Sequence, residues 1–152
     1  MIKVLSRFKQ LVALVAFSFL LLAGCSKSTI EQAQQSTLQK YFEENFLDRN
    51  YTVHLATDNG ADLTAQYNGY VFRLIKGTSF DGPVTATKNS TVYNGSWGSN
   101  ADYSKLTINL PSSVAEFVFL IREWRFTRKG IPILELAPWG TTEPKVLHIE
   151  RQ

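Results

Sequence analysis

The chain has 152 residues, 44% of them hydrophobic, and no second block of hydrophobic periodicity, so it has room for one core and not for two. Lysine and arginine exceed aspartate and glutamate by 16 to 13, but Lys3, Arg7 and Lys9 lie in residues 1–24, which carry no acid; removing those three leaves 13 basic against 13 acidic side chains. A balance of zero beyond residue 24 takes away the clustered positive face that nucleic-acid binding needs for counterion release.

Residues 1–24 have the three parts of an export signal: a positive stretch from Met1 to Gln10, an apolar run from Leu11 to Leu22, and the small Ala23 and Gly24. The apolar run is shorter than the roughly 20 residues a spanning helix needs, which disfavours a permanent transmembrane anchor. Cys25 is the single cysteine, so it has no disulfide partner within the chain. Leu22-Ala23-Gly24-Cys25 resembles the lipobox of bacterial lipoproteins. That resemblance implies cleavage before Cys25, a thioether-linked diacylglycerol on its sulfur and usually a third chain, such as palmitate, on its amine. Several acyl chains, at about 0.8 kcal/mol per buried methylene, give stable membrane anchoring. Ser26-Lys27-Ser28 lacks the acidic run that resembling bacteria use for surface export, so the expected place is the cell outer membrane, facing the periplasm.

From Cys25 to Ser36 the expectation is a lipidated cysteine followed by a polar tether, because only Ile30 and Ala33 are apolar after Ser26. Residues 37–152 form the expected domain. Ser36-Thr37-Leu38-Gln39 has the form of a capping box, and Leu38, Tyr41, Phe42 and Phe46 recur at helical spacing, predicting a short helix from Thr37 to about Leu47. Ser28-Thr29-Ile30-Glu31 is an alternative start.

After Asn50 the period changes to near 2, with turn residues about every eight to twelve positions, the spacing of an antiparallel sandwich or barrel. Tyr51–Thr57 alternates and runs into Asn59-Gly60, a hairpin signal. Tyr67–Ile75 sets Tyr70, Phe72 and Leu74 on one face, and Lys76–Pro83 is rich in turn formers. Strands are predicted over 84–88 and 91–97, the second with Tyr93, Gly95 and Trp97 on one face, followed by a loop over Gly98–Asp102. Lys105–Leu110 alternates cleanly; Phe117–Arg128 reads as one long strand with Leu120, Arg122, Trp124, Phe126 and Arg128 on one side. Two more strands are predicted over 131–137 and 145–151. Short connections make this an all-β antiparallel meander of about eight strands, closed or half-open as a barrel, after one N-terminal helix.

Asp58-Asn59-Gly60, Tyr67-Asn68-Gly69-Tyr70-Val71-Phe72, Pro83-Val84-Thr85-Ala86-Thr87 and Tyr93-Asn94-Gly95-Ser96-Trp97 resemble the lipocalin-like lipoproteins common in Bacteroidetes. Tyr103-Ser104-Lys105-Leu106-Thr107-Ile108, Glu123-Trp124-Arg125-Phe126, Ile133-Leu134-Glu135-Leu136 and Val146-Leu147-His148-Ile149 extend the similarity to the end of the chain. It implies a lipocalin-like barrel and is nearly silent on function. The group often opens with Gly-x-Trp, whereas this chain has Arg49-Asn50-Tyr51-Thr52-Val53, without the tryptophan that plugs the base of such barrels.

His54 and His148 stand alone on separate strands, so no metal is expected. Gly95-Ser96-Trp97-Gly98 is not a nucleophile elbow, and Gly-rich phosphate cradles are absent, so neither a catalytic residue nor a cofactor is expected. Trp97, Trp124, Trp139, Tyr70, Tyr93, Phe72 and Phe126 either line an apolar pocket or pack a core. Trp139, between Pro138 and Pro144, is either a contact residue or a cap on the barrel's open end. Arg122, Trp124 and Arg128, with Arg125 and Lys129 nearby, form a basic and aromatic cluster for an anionic group, or one neutralised by Glu116, Glu123 and Glu135. The sequence therefore predicts a non-enzymatic, membrane-anchored lipoprotein binding a small apolar ligand. The alternative is a scaffold or interaction protein, using a sheet edge or the Tyr41-Phe42-Phe46 helix on an envelope partner.

Overall fold

A computed structural model describes residues 27–152; the export signal, its cleavage point and Cys25 lie outside them. Helix α1 spans Lys27–Phe46, so the stretch read as a polar tether is helical from Lys27 onward. Residues 30–38 are exposed along it, and packing does not explain the extra turns. Glu31, Gln32, Ala33, Gln34 and Gln35 are good helix formers without Gly or Pro, and extending an existing helix needs no new nucleation. This matches the alternative start at Ser28-Thr29-Ile30-Glu31; low hydrophobicity limits burial and not backbone preference. The helix stops before Asp48, whose positive φ of 56° turns the chain and whose N–H donates to the Leu74 carbonyl at 2.7 Å.

Nine strands follow: β1 (Asn50–Asp58), β2 (Ala61–Asp62), β3 (Val71–Leu74), β4 (Asp81–Lys88), β5 (Thr91–Ser99), β6 (Lys105–Asn109), β7 (Arg122–Lys129), β8 (Ile133–Pro138) and β9 (Lys145–Arg151). All neighbours are antiparallel. Eight of them close into a barrel, because β9 returns to pair with β1 from Tyr51↔Arg151 to Asp58↔Lys145; the short β2 is an extra strand on β1. Each of the eight has a paired neighbour on both sides, so the barrel is closed and not half-open. Tyr51 stands in the stretch that lacks the resembling group's tryptophan. It is buried, and its hydroxyl donates to the Phe46 carbonyl at 3.0 Å, tying the first strand to the helix.

The wall is not uniform. β4 and β5 are in register over their whole length, from Asp81↔Gly98 to Lys88↔Thr91, whereas β1 and β3 are registered at Asn50↔Arg73 and Tyr51↔Phe72 alone. Beyond Tyr51 that seam is filled by β2 and by a 3-10 turn over Thr64–Tyr67. Asn59 and Gly60, at φ of 49° and 82°, make the predicted hairpin; Asn89 and Ser90, at 49° and 68°, make the β4–β5 turn the same way.

Several boundaries differ from the sequence reading. The strand read over Tyr67–Ile75 is only Val71–Leu74, with Tyr67 in a 3-10 turn, and β8 starts at Ile133. β4 starts at Asp81, so Gly82 and Pro83 lie in a strand; a Cβ on Gly82 would collide with the Ile75 carbonyl oxygen, and the glycine serves this close approach. β5 continues to Ser99. Phe117–Ile121 is not strand: Ala115–Phe117 is a 3-10 turn, and the N–H groups of Leu120 and Ile121 donate to the Phe117 carbonyl at 2.9 and 3.0 Å. A bulge between Phe126 and Arg128 then breaks the alternation of β7, so Arg128 leaves the face of Trp124 and turns outward.

The barrel has a helix end and a loop end, and each is covered. At the helix end, Phe42 and Phe46 of α1 stack on each other at 5.0 Å; Phe42 packs on Tyr103 at 4.7 Å and lies 5.9 Å from Trp97. At the loop end, the segment 110–121 folds in with Leu110, Phe117, Phe119 and Leu120 buried.

Candidate functional site

The interior is where a barrel of this size would carry a ligand, and its contents follow from strand alternation. Leu74, Val84, Ala86, Leu106, Ile108, Leu134, Leu136, Leu147 and Ile149 point inward and are buried. Between the two covered ends they leave a cavity of about 30 Å³ bounded by apolar side chains, with Tyr51, Phe72, Leu106, Leu120 and Leu147 on its wall. That is the space of one water with no polar lining to hold it, against about 300–1,000 Å³ for an organic ligand.

The aromatic residues singled out from sequence do not converge on one pocket. Trp97 is buried at the helix end, its Nε1 donating to the Ile75 carbonyl at 2.8 Å. Trp124 is buried towards the loop end; its Nε1 donates to the Leu120 carbonyl at 3.0 Å and Phe119 packs 5.4 Å away. Tyr70 and Tyr93 do come together, 6.2 Å apart, and each closes on Phe117 at 5.3 and 5.2 Å. Lys88 places its Nζ 4.5 Å over the Tyr70 ring. Trp139 does not cap an opening: β8 turns Leu136 and Pro138 inward, and the Trp139 ring lies on the outer wall, 36% exposed, with Lys105 Nζ 5.7 Å from it.

Two cations of the basic cluster, Arg122 and Arg128, are paired with carboxylates. Arg122 donates from Nε to the Phe119 carbonyl at 2.9 Å and from Nη1 to Glu143 at 3.2 Å, and its guanidinium lies 5.5 Å from the Trp124 ring. Arg128 pairs with Glu135 at 3.2 Å, and Glu123 pairs with Lys105 at 2.6 Å. The partner missed from sequence is Glu143; the expected Glu116 instead offers its backbone carbonyl to the Tyr67 hydroxyl at 2.8 Å. Glu143 and Asp58 both approach Lys145, and the Lys145 hydrogen bond holds the Asp58 carboxyl below its ordinary range. His54 lies 3.6 Å from Glu150 on the solvent side, and no cluster of three metal-ligating side chains occurs among the described residues.

The groups that close the barrel were missed as a set. Phe117 read as a strand residue and is the loop-end plug. Phe42 and Phe46, proposed as a docking face for a partner, are spent inside their own barrel; their i, i+4 spacing was the available signal. Tyr103 is held at φ 55° between Phe42 and Phe80, stacked on the latter at 5.4 Å; burial raises its pKa, and its hydroxyl has no hydrogen-bond partner among the described residues.

Glu43 fastens α1 to the β3–β4 loop, accepting from Lys76 Nζ at 2.6 Å and from Gln39 Nε2 and Ser79 Oγ at 3.0 Å each. The Lys76 hydrogen bond, reinforced by Gln39 and Ser79, lowers the Glu43 pKa below the ordinary 4.5, with burial opposing. A lowered folded value means the contribution is complete well above 4.5 and is lost as the pH falls through the folded value. Glu43→Gln is therefore expected to flatten part of the acid limb of stability, measured as the denaturation midpoint from about pH 6 to about pH 3. Identical acid limbs for variant and wild type would remove this carboxylate from the attachment.

Fold and site together define a class by architecture: a small closed antiparallel barrel, packed by its own side chains and covered at both ends. No family model, curated protein or solved structure matches the chain.

Proposed function

We propose that this chain is a lipid-anchored protein of the cell envelope whose barrel works as a non-enzymatic interaction or scaffold module through its outer surface. The observation that carries the reading is the packed interior, where the cavity enclosed by the described residues between the two plugged ends measures about 30 Å³. A larger hollow, about 490 Å³ and open to solvent, is lined by Asp81, Pro83 and Ser96 on the outer wall, with Gly82 and Gly95 beside them. Anchoring follows from the lipobox-like Leu22-Ala23-Gly24-Cys25. A second reading, a small apolar ligand held inside, is favoured by the apolar cavity wall and requires Phe117 or Phe42 to swing out.

Photo-crosslinking in the native host from a residue replacing Ser96 is expected to give a discrete product with an envelope protein, and a chain that runs alone would overturn the interaction role. Radiolabelled palmitate is expected to attach to wild type and not to Cys25→Ser; equal labelling would overturn the anchor. A small molecule retained in native mass spectrometry would shift the balance to the second reading.

A further inference from the structure

We propose that the helix end of the barrel rests on the phospholipid surface that holds Cys25, and that the 110–121 end is presented away from it. The proposal depends on the lipid-anchored reading above. Its first support is chain length. The segment from Gln39 onward lies across the helix end, with Gln39 Nε2 2.7 Å from Ser79 Oγ and the Tyr41 hydroxyl 3.1 Å from the Lys129 carbonyl, so the chain reaches the barrel at this end. Between Cys25 and Thr37 the residues from Lys27 on are helical, which limits that stretch to about 22 Å, at about 1.5 Å per helical residue and 3.3 Å per extended one. The nine-residue strands β1 and β5 are each about 30 Å long. With strands tilted by about 35–45° in a barrel, that wall stands about as tall as the link is long, so the helix end, where the link joins, is the end held nearest the surface.

The second support is what this end exposes. Leu38, Tyr41, Phe80 and Ile131, at 42, 40, 37 and 41% exposure, stand around it on α1, the β3–β4 loop and the β7–β8 loop. The loop end exposes the valines Val71, Val92 and Val118; the exposed ring in its β8–β9 connection, Trp139, lies back on the outer wall with Lys105 Nζ 5.7 Å from it, where Tyr41 and Phe80 stand at the helix end itself. Aromatic rings, with lysines whose stems lie along apolar surface, are the side chains that favour headgroup depth. Lys129, its Nζ 5.4 Å from the Phe126 ring, stands beside Tyr41 with no ion-pair partner among the described residues. Phe80 is exposed yet fixed, stacked on Tyr103, so it need not be ordered on contact.

The test uses the full lipidated protein in vesicles of phosphatidylethanolamine and phosphatidylglycerol. An environment-sensitive fluorophore is placed on F80C or I131C at the helix end and on V92C or V118C at the loop end; thioether formation protects Cys25 from labelling. Quenching by lipids brominated near the headgroup is expected to be several-fold stronger at 80 and 131 than at 92 and 118. Equal quenching at both ends, or the reverse order, overturns the orientation. Vesicle flotation of the same samples separates the two failures: a chain that floats but quenches equally overturns the orientation alone, and one that does not float overturns anchor and orientation together. Two sites at each end keep the comparison readable if one variant misfolds.

Discussion

Phe42→Ala is expected to lower the free energy of unfolding by about 3–5 kcal/mol, whereas Leu38→Ala, one helical turn away, changes it by no more than about 0.5 kcal/mol. Phe42 is 1% exposed and touches Phe46, Tyr103, Trp97 and Phe126, so its removal opens a void that reaches from the helix to the strands. The neighbours are rings fixed by their own contacts: Trp97 by its bond to Ile75 and Tyr103 by Phe80. They have little freedom to collapse inward, which places the cost towards the upper part of the range. Denaturant midpoints at unchanged slope are the measurement. A loss below about 1 kcal/mol would mean that the helix lies loosely on the barrel.

The second large effect belongs to Phe117, whose substitution by alanine is expected to cost about 3–5 kcal/mol and also to create a binding cavity. Phe117 is fully buried against Tyr70, Tyr93 and Phe72, and Phe72 forms part of the wall of the interior void. Deleting the ring merges its volume with that void. An engineered apolar cavity of about 150 Å³ is enough to take up benzene or xenon. Saturating benzene is therefore expected to raise the melting temperature of Phe117→Ala and to leave wild type unchanged. Stabilisation of wild type by the same amount would show that the plug already opens, and the interior-ligand reading would gain accordingly.

The strands were legible wherever one face is greasy and the other wet. Leu106, Ile108 and Leu110 alternate with Lys105, Thr107 and Asn109, and the structure buries the first three as that pattern requires. The turns at Asn59-Gly60 and Lys88-Asn89-Ser90 were legible too, because short polar residues and glycine tolerate positive φ. The first half of α1 was legible only as the alternative start at Ser28-Thr29-Ile30-Glu31, since its side chains bury nothing and so carry no periodic signal. The bulge at Phe126 and Arg128 was invisible for the opposite reason: an inserted residue reverses the face of every later side chain without marking the sequence. The aromatic residues posed a different difficulty. Core and pocket use the same rings, and what separates them is how much volume remains when all side chains are counted together, a quantity that no single strand contains. Arg122 illustrates the same limit, since its carboxylate partner Glu143 comes from a loop that only barrel closure brings alongside.

The short β1–β3 joint also says where this molecule first comes apart. Elsewhere around the cylinder each adjacent pair is registered over at least four positions, but past Tyr51 this flank is carried by the two-residue β2, by Leu63 N–H on the Ala56 carbonyl at 2.8 Å and by Ala56 N–H on the Thr64 hydroxyl at 3.0 Å. Local opening begins where the fewest backbone bonds must break. The easiest passage between solvent and interior is thus a slit in the side of the cylinder, and amide exchange would trace it as a stripe running lengthwise between its two sealed caps.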